Sequence, residues 1–163
     1  MLYLKWRLED IIMSDIINAK IPYFGDDYMA CSESTLRYLI ENGVVDLPKE
    51  AIKLMTGMHG NIDGETNRYA NCGAVNGAIA AIGAKYGRTD YTGDNKTVFR
   101  LVEEFLKAFE DRFHSIKCKG LVGDNDMASF EQQYKCSEYV LFAAATVERL
   151  FKEEDERRAK ENK

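Results

Sequence analysis

Apolar residues recur at helical spacing through most of this chain, with glycine, asparagine and aspartate punctuating them. The clearest case is residues 96–114. Val98, Leu101, Val102, Phe105, Leu106, Phe109 and Phe113 repeat at three- and four-residue steps there, and the opposite face is charged. That pattern predicts a helix with one face in a core, capped by Asp94 or Asn95. Residues 136–154 repeat the pattern through Tyr139, Val140, Ala143, Val147, Leu150 and Phe151. Residues 28–41 predict a further helix with Leu36, Leu39 and Ile40 on its apolar face, stopped by Asn42-Gly43. Pro48 introduces a helix over 49–58 with Ile52 and Met55 inward, since proline is tolerated in a first turn. Residues 117–122 are long enough for a single turn of helix.

The stretch 71–87, NCGAVNGAIAAIGAKYG, differs from these in being built of small residues. Ala74, Gly77, Ala78, Ala81 and Ala84 fall at helical steps, so a neighbouring backbone can approach closely. Gly77 and Gly83 each cost about 1 kcal/mol of helix stability against alanine, a cost that close packing explains. Cys72 stands at the N-terminus of this helix, where free N–H groups and the dipole favour an anionic sulfur. The loop leading into it, 57–71, carries Gly57, Gly60 and Gly64 and an Asp63-Gly64 turn signal. Residues 88–95 and 123–135 are polar and loop-like. The charged segment 155–163 has no apolar anchor and predicts a tail fraying into solvent.

The elements together predict an all-α fold, a compact bundle of five or six helices. The organisation is an amphipathic N-terminal extension over 1–20, one helical domain over 21–154, and the charged tail. In the extension Leu8, Ile11, Ile12 and Ile16 share one side. Its charges interrupt what would otherwise resemble an export signal, so a cytoplasmic location is the expectation. No stretch reaches the roughly 18 apolar residues of a membrane span. A chain of 163 residues with net charge −5 is of single-domain size and offers no nucleic-acid surface.

The four cysteines carry the candidate chemistry. Cys31, Cys72, Cys118 and Cys136 are separated by 41, 46 and 18 residues, with no C-x-x-C pair. That spacing excludes a zinc ribbon, a thioredoxin-type motif and covalent c-type haem attachment. Neither G-x-S-x-G nor H-E-x-x-H occurs, so no hydrolase constellation is present, and no Walker loop or EF-hand is formed. Cys31, Cys72 and Cys136 fall near predicted helix starts, and Cys118 lies beside the short turn. Convergence of those ends would make a cysteine-lined pocket suited to a metal, an iron–sulfur cluster or a reactive dithiol. His59, in the loop before Cys72, is a candidate to enter such a site. His114 reads as a surface residue near a helix C-terminus, Asp124 and Asp126 as turn formers, and Arg68 as a solvated charge.

Cys31 in ACSESTLRYL, the run Cys72-Gly73-Ala74-Val75-Asn76-Gly77, Cys118 in HSIKCKGLVG and Cys136 opening the last helix form one ordered pattern. The chain resembles the C_GCAxxG_C_C family of redox-active proteins over about residues 28–150. The glycine-rich run before the central cysteine of that family is diluted here. The resemblance implies a shared redox or metal role for Cys31, Cys72, Cys118 and Cys136, with Gly73 and Gly77 as candidate cofactor-binding positions.

Three readings follow. Four thiolates suit an iron–sulfur cluster or another thiolate-bound metal, serving electron transfer or redox sensing with an unidentified redox partner. A thiol–disulfide protein would use Cys72 as its reactive thiol and another cysteine to resolve. A non-enzymatic helical interaction domain would keep the cysteines structural, with the N-terminal helix and nine tyrosines suited to a homodimer interface.

Overall fold

The computed structural model describes residues 29–60, 70–126 and 129–161, and the helices within it follow one another around a shared core. The N-terminal extension, the centre of the 57–71 loop with Gly64 and Arg68, and the last two residues of the tail lie outside the described residues.

Helix α1 spans Cys31–Glu41. Its first turn is closed by Glu33, whose Oε2 accepts the Ala30 backbone N–H at 3.0 Å. Gly43 takes a positive φ of 68° just past its end, the left-handed position that glycine fills without steric cost. A 3-10 helix, Lys49–Met55, follows. It is shorter than the helix expected over 49–58, because Gly57 and the turn after Thr56 end the pattern. Helix α2 spans Gly73–Tyr86, α3 spans Lys96–Phe113, α4 is the short Cys118–Val122, and α5 is the long Phe130–Glu161. The fold is all-α, and the described residues contain no strand.

The small residues of α2 do what their pattern predicts. Gly73, Ala74, Gly77, Ala78 and Ala81 are all buried, and α1 packs more extensively on α2 than any other pair of elements. A β-carbon at Gly77 would stand 2.7 Å from the Ser32 carbonyl oxygen and 2.8 Å from Thr35 Cβ, so only glycine allows this approach. The amphipathic α3 turns Leu101, Phe105 and Phe109 into the core. Phe109 and Phe113 meet Tyr139 and Phe142 of α5 with ring centroids 4.7–6.2 Å apart, the tilted and edge-on arrangement that aromatic pairs favour.

Two expectations are corrected at α5. The helix opens at Phe130 and not at Cys136, because Ser129 Oγ accepts the Gln132 N–H at 3.2 Å and caps it. Cys136 therefore lies well inside the helix. The helix also continues to Glu161 instead of fraying after residue 154. Glu154 is the anchor that the charge pattern hid: it is buried, and Arg100, Arg157 and Arg158 converge on its carboxylate. Asp155 adds a second tie, accepting from Lys85 Nζ at 2.8 Å and Tyr86 Oη at 2.9 Å on α2.

Candidate functional site

Four separate local structures bring the cysteines onto one cavity. Cys31 is the first residue of α1. Cys72 is the N-cap of α2, and Gly73 immediately after it is the point of convergence. A β-carbon at Gly73 would lie 2.8 Å from the Ser32 backbone nitrogen, 3.0 Å from Cys31 Cβ and 3.2 Å from His59 Cβ. Cys118 is placed by a two-residue antiparallel bridge, Asn71 with Lys117. Within it Cys72 N–H donates to Ile116 O at 2.8 Å and Cys118 N–H to Ala70 O at 3.0 Å. Residues 72 and 118 thus flank the bridged pair on the same face of the ribbon, as diagonal neighbours roughly 7–8 Å apart. Cys136 comes from the second turn of α5.

The cavity is about 30 Å³ and is lined by all four cysteines together with His59, Gly60, Gly73, Leu121, Val122 and Tyr139. His59 and Gly60 are held there by two hydrogen bonds on the preceding segment: Ser32 Oγ donates to Met55 O, and Asn76 Nδ2 donates to Met58 O, each at 2.7 Å. Tyr139 closes one side and links the site to the aromatic core. Gly77 is not among the lining residues; it serves the α1–α2 contact. His114 caps α3 in the left-handed conformation, exposed to solvent, and does not line the cavity.

The four sulfurs differ in environment. All are present as thiols. The mutual influence of the Cys31 and Cys136 thiols, with burial, holds Cys31 well above the ordinary thiol range, and the same pairing draws Cys136 down to about 7. A donor also acts on Cys136: Gln132 Nε2 lies 3.5 Å from its Sγ. Cys72 goes the other way. Burial pushes it up to about 12, although the N–H groups of Ala74 and Val75 favour its anion. The sequence leaves Cys72 open between a helix-favoured anion and a small buried apolar residue, and here the loss of solvent outweighs the partial charges of two peptide groups. Gln132 and its partner Asn125 were missed by sequence reasoning. The signal for Gln132 was its place one helical turn before Cys136, obscured because 123–135 reads as a loop.

Thiolates suit iron or zinc chemically. Among the described residues, however, no group of three or more His, Cys, Asp or Glu is arranged to hold an ion. A cavity of about 30 Å³ has room for one or two waters. As placed, the donors line a space without forming a cage around it.

No helix among the described residues is long and apolar enough to cross a membrane. No curated protein and no solved structure matches the chain. The sequence profile of one family, described as putative redox-active protein (C_GCAxxG_C_C), matches residues 29–150. That span contains all four cysteines and every residue of the cavity, and the chain belongs to this family.

Proposed function

We propose that the protein is a thiol–disulfide redox protein whose reacting pair is Cys31 and Cys136. The observation that carries this reading is the cavity lined by all four cysteines, in which the opposite displacements of the Cys31 and Cys136 acidities single out that pair. A Cys136 thiolate beside a Cys31 thiol is the arrangement a dithiol needs for attack and resolution.

The reaction balances with a disulfide as co-reactant. The Cys136 thiolate attacks one sulfur of the substrate disulfide, and that bond breaks as a mixed disulfide forms. The first substrate sulfur leaves as a thiolate and takes a proton from water. Cys31 then gives up its proton and attacks the Cys136 sulfur, expelling the second substrate thiol. Two electrons pass from the protein to the substrate, which becomes two thiols, and the protein keeps a Cys31–Cys136 disulfide until a dithiol donor reduces it. Attack is placed on Cys136 in preference to Cys72, because Cys72 is held protonated by burial. Cys72 and Cys118 form the walls of the site.

A mixed-disulfide trap tests this. The Cys31→Ser protein incubated with glutathione disulfide should accumulate one glutathione adduct, on Cys136, and the Cys136→Ser protein should accumulate none. Adducts on Cys72 in either variant would overturn the assignment.

A thiolate-bound metal or iron–sulfur centre on Cys31, Cys72, Cys118 and Cys136 is the second reading. The shared lining by four sulfurs favours it, and the present arrangement of the donors does not. Stoichiometric iron with acid-labile sulfide in protein isolated without oxygen would establish it over the dithiol reading.

A further inference from the structure

We propose that Gln132 is the positioning residue of the Cys31–Cys136 pair, its side-chain amide selecting Cys136 as the attacking sulfur and Asn125 holding that amide in orientation. This rests on the dithiol reading above.

A neutral amide in a protein interior is costly unless both of its ends are bonded. Gln132 is 1% exposed, and both of its ends are used. Its Oε1 accepts from Asn125 Nδ2 at 3.1 Å, and its Nε2 lies 3.5 Å from Cys136 Sγ. With Asn125 as placed, that pair of contacts sets the orientation. Turning the amide over would set its NH₂ against the Asn125 donor and its carbonyl against the sulfur, replacing two attractions with two repulsions. A thiolate only accepts hydrogen bonds, so the amide N–H stabilises the anion more than the thiol. Of the two sulfurs Cys31 and Cys136, the Gln132 amide faces Cys136.

The backbone supports the same assignment. Ser129 caps α5 by accepting the Gln132 N–H, and a Ser-x-x-Gln sequence at a helix start ordinarily returns the glutamine side chain to the cap. Here that side chain is committed to Asn125 and Cys136. Asn125 itself lies in an exposed turn before the helix, so the turn reaches the reacting sulfur through a single intervening residue.

The test uses the full chain, reduced, as wild type, Gln132→Met, Gln132→Glu and Asn125→Ala. Iodoacetamide modification at pH 7 is followed by mass spectrometry, and the dithiol is equilibrated with glutathione and glutathione disulfide. Wild type should modify first at Cys136. Gln132→Met, similar in shape but without a donor, should slow Cys136 about tenfold and leave the other cysteines unchanged. At pH 7 it should also move the equilibrium about twofold toward the disulfide, which is about 9 mV more reducing. Gln132→Glu should slow Cys136 further, and Asn125→Ala about threefold. Unchanged Cys136 rates in folded Gln132→Met, or in Asn125→Ala should Gln132→Met fail to fold, would overturn the proposal. Failure of wild type to form a Cys31–Cys136 disulfide would instead overturn the dithiol reading. Formation of that disulfide with an equilibrium insensitive to Gln132 would sink the positioning role alone.

Discussion

Gly60 lies flush against Cys118: a β-carbon at Gly60 would stand 2.6 Å from Cys118 Sγ, and closer still to its Cβ. The loop that leads toward Cys72 therefore touches the sulfur carried by α4, and the cavity wall depends on the missing side chain. Gly60→Ala should push Cys118 from its place and cost about 1–3 kcal/mol by overpacking. Thermal unfolding should show the loss, and Cys118 should become more accessible to alkylation.

The two glycines inside α2 should respond in opposite directions. Gly77→Ala drives a methyl group against the Ser32 carbonyl and Thr35 and should destabilise by about 1–3 kcal/mol. Gly83 has nothing within 4 Å of its would-be β-carbon. Gly83→Ala should therefore stabilise by about 0.5–1 kcal/mol through helix propensity alone. Urea midpoints of the two variants check both signs.

Much of this architecture was legible in the sequence. The charged face of 96–113 left only one way to bury Phe105 and Phe109, and the alanines and glycines after Cys72 announced a close helix contact. What was hidden depended on tertiary partners. Glu154 sits in a run of charges that reads as solvated, and only the fold brings Arg100 from α3 to join Arg157 and Arg158 around it. The start of α5 was displaced because Ser129 and Gln132 sit in a polar run without apolar periodicity. The character of Cys72 stayed open in the sequence because a helix N-terminus is visible there, while the degree of burial that opposes it is not.

Glu154 makes the acid limb of stability predictable. Its carboxyl is lowered from the ordinary 4.5 to about 2, first by its hydrogen bond with Arg157 and then by Arg158 and Arg100. A depressed folded value means that the contribution is fully present above pH 4.5 and is lost as pH falls toward 2. Glu154→Gln should flatten that limb and cost about 1–2 kcal/mol at pH 7, a charged hydrogen-bond loss reduced because the arginines are partly solvated. Denaturant unfolding between pH 2 and 7 reads both effects.

The reactivity of the cavity should follow pH through one sulfur. With Cys136 near 7 and Cys72 near 12, alkylation of Cys136 should rise with a midpoint near pH 7 and level off above pH 8. Cys72 should stay slow throughout that range. Site-resolved mass spectrometry after short iodoacetamide pulses distinguishes the two.

Disulfide mapping decides whether Cys31 and Cys136 form the working pair. The full-length protein, equilibrated in a glutathione and glutathione disulfide buffer and quenched with acid, is digested and its cross-linked peptides identified. One cross-link is expected, Cys31 to Cys136, with Cys72 and Cys118 recovered as thiols. A cross-link through Cys72 or Cys118, or no cross-link under oxidising conditions, would contradict it.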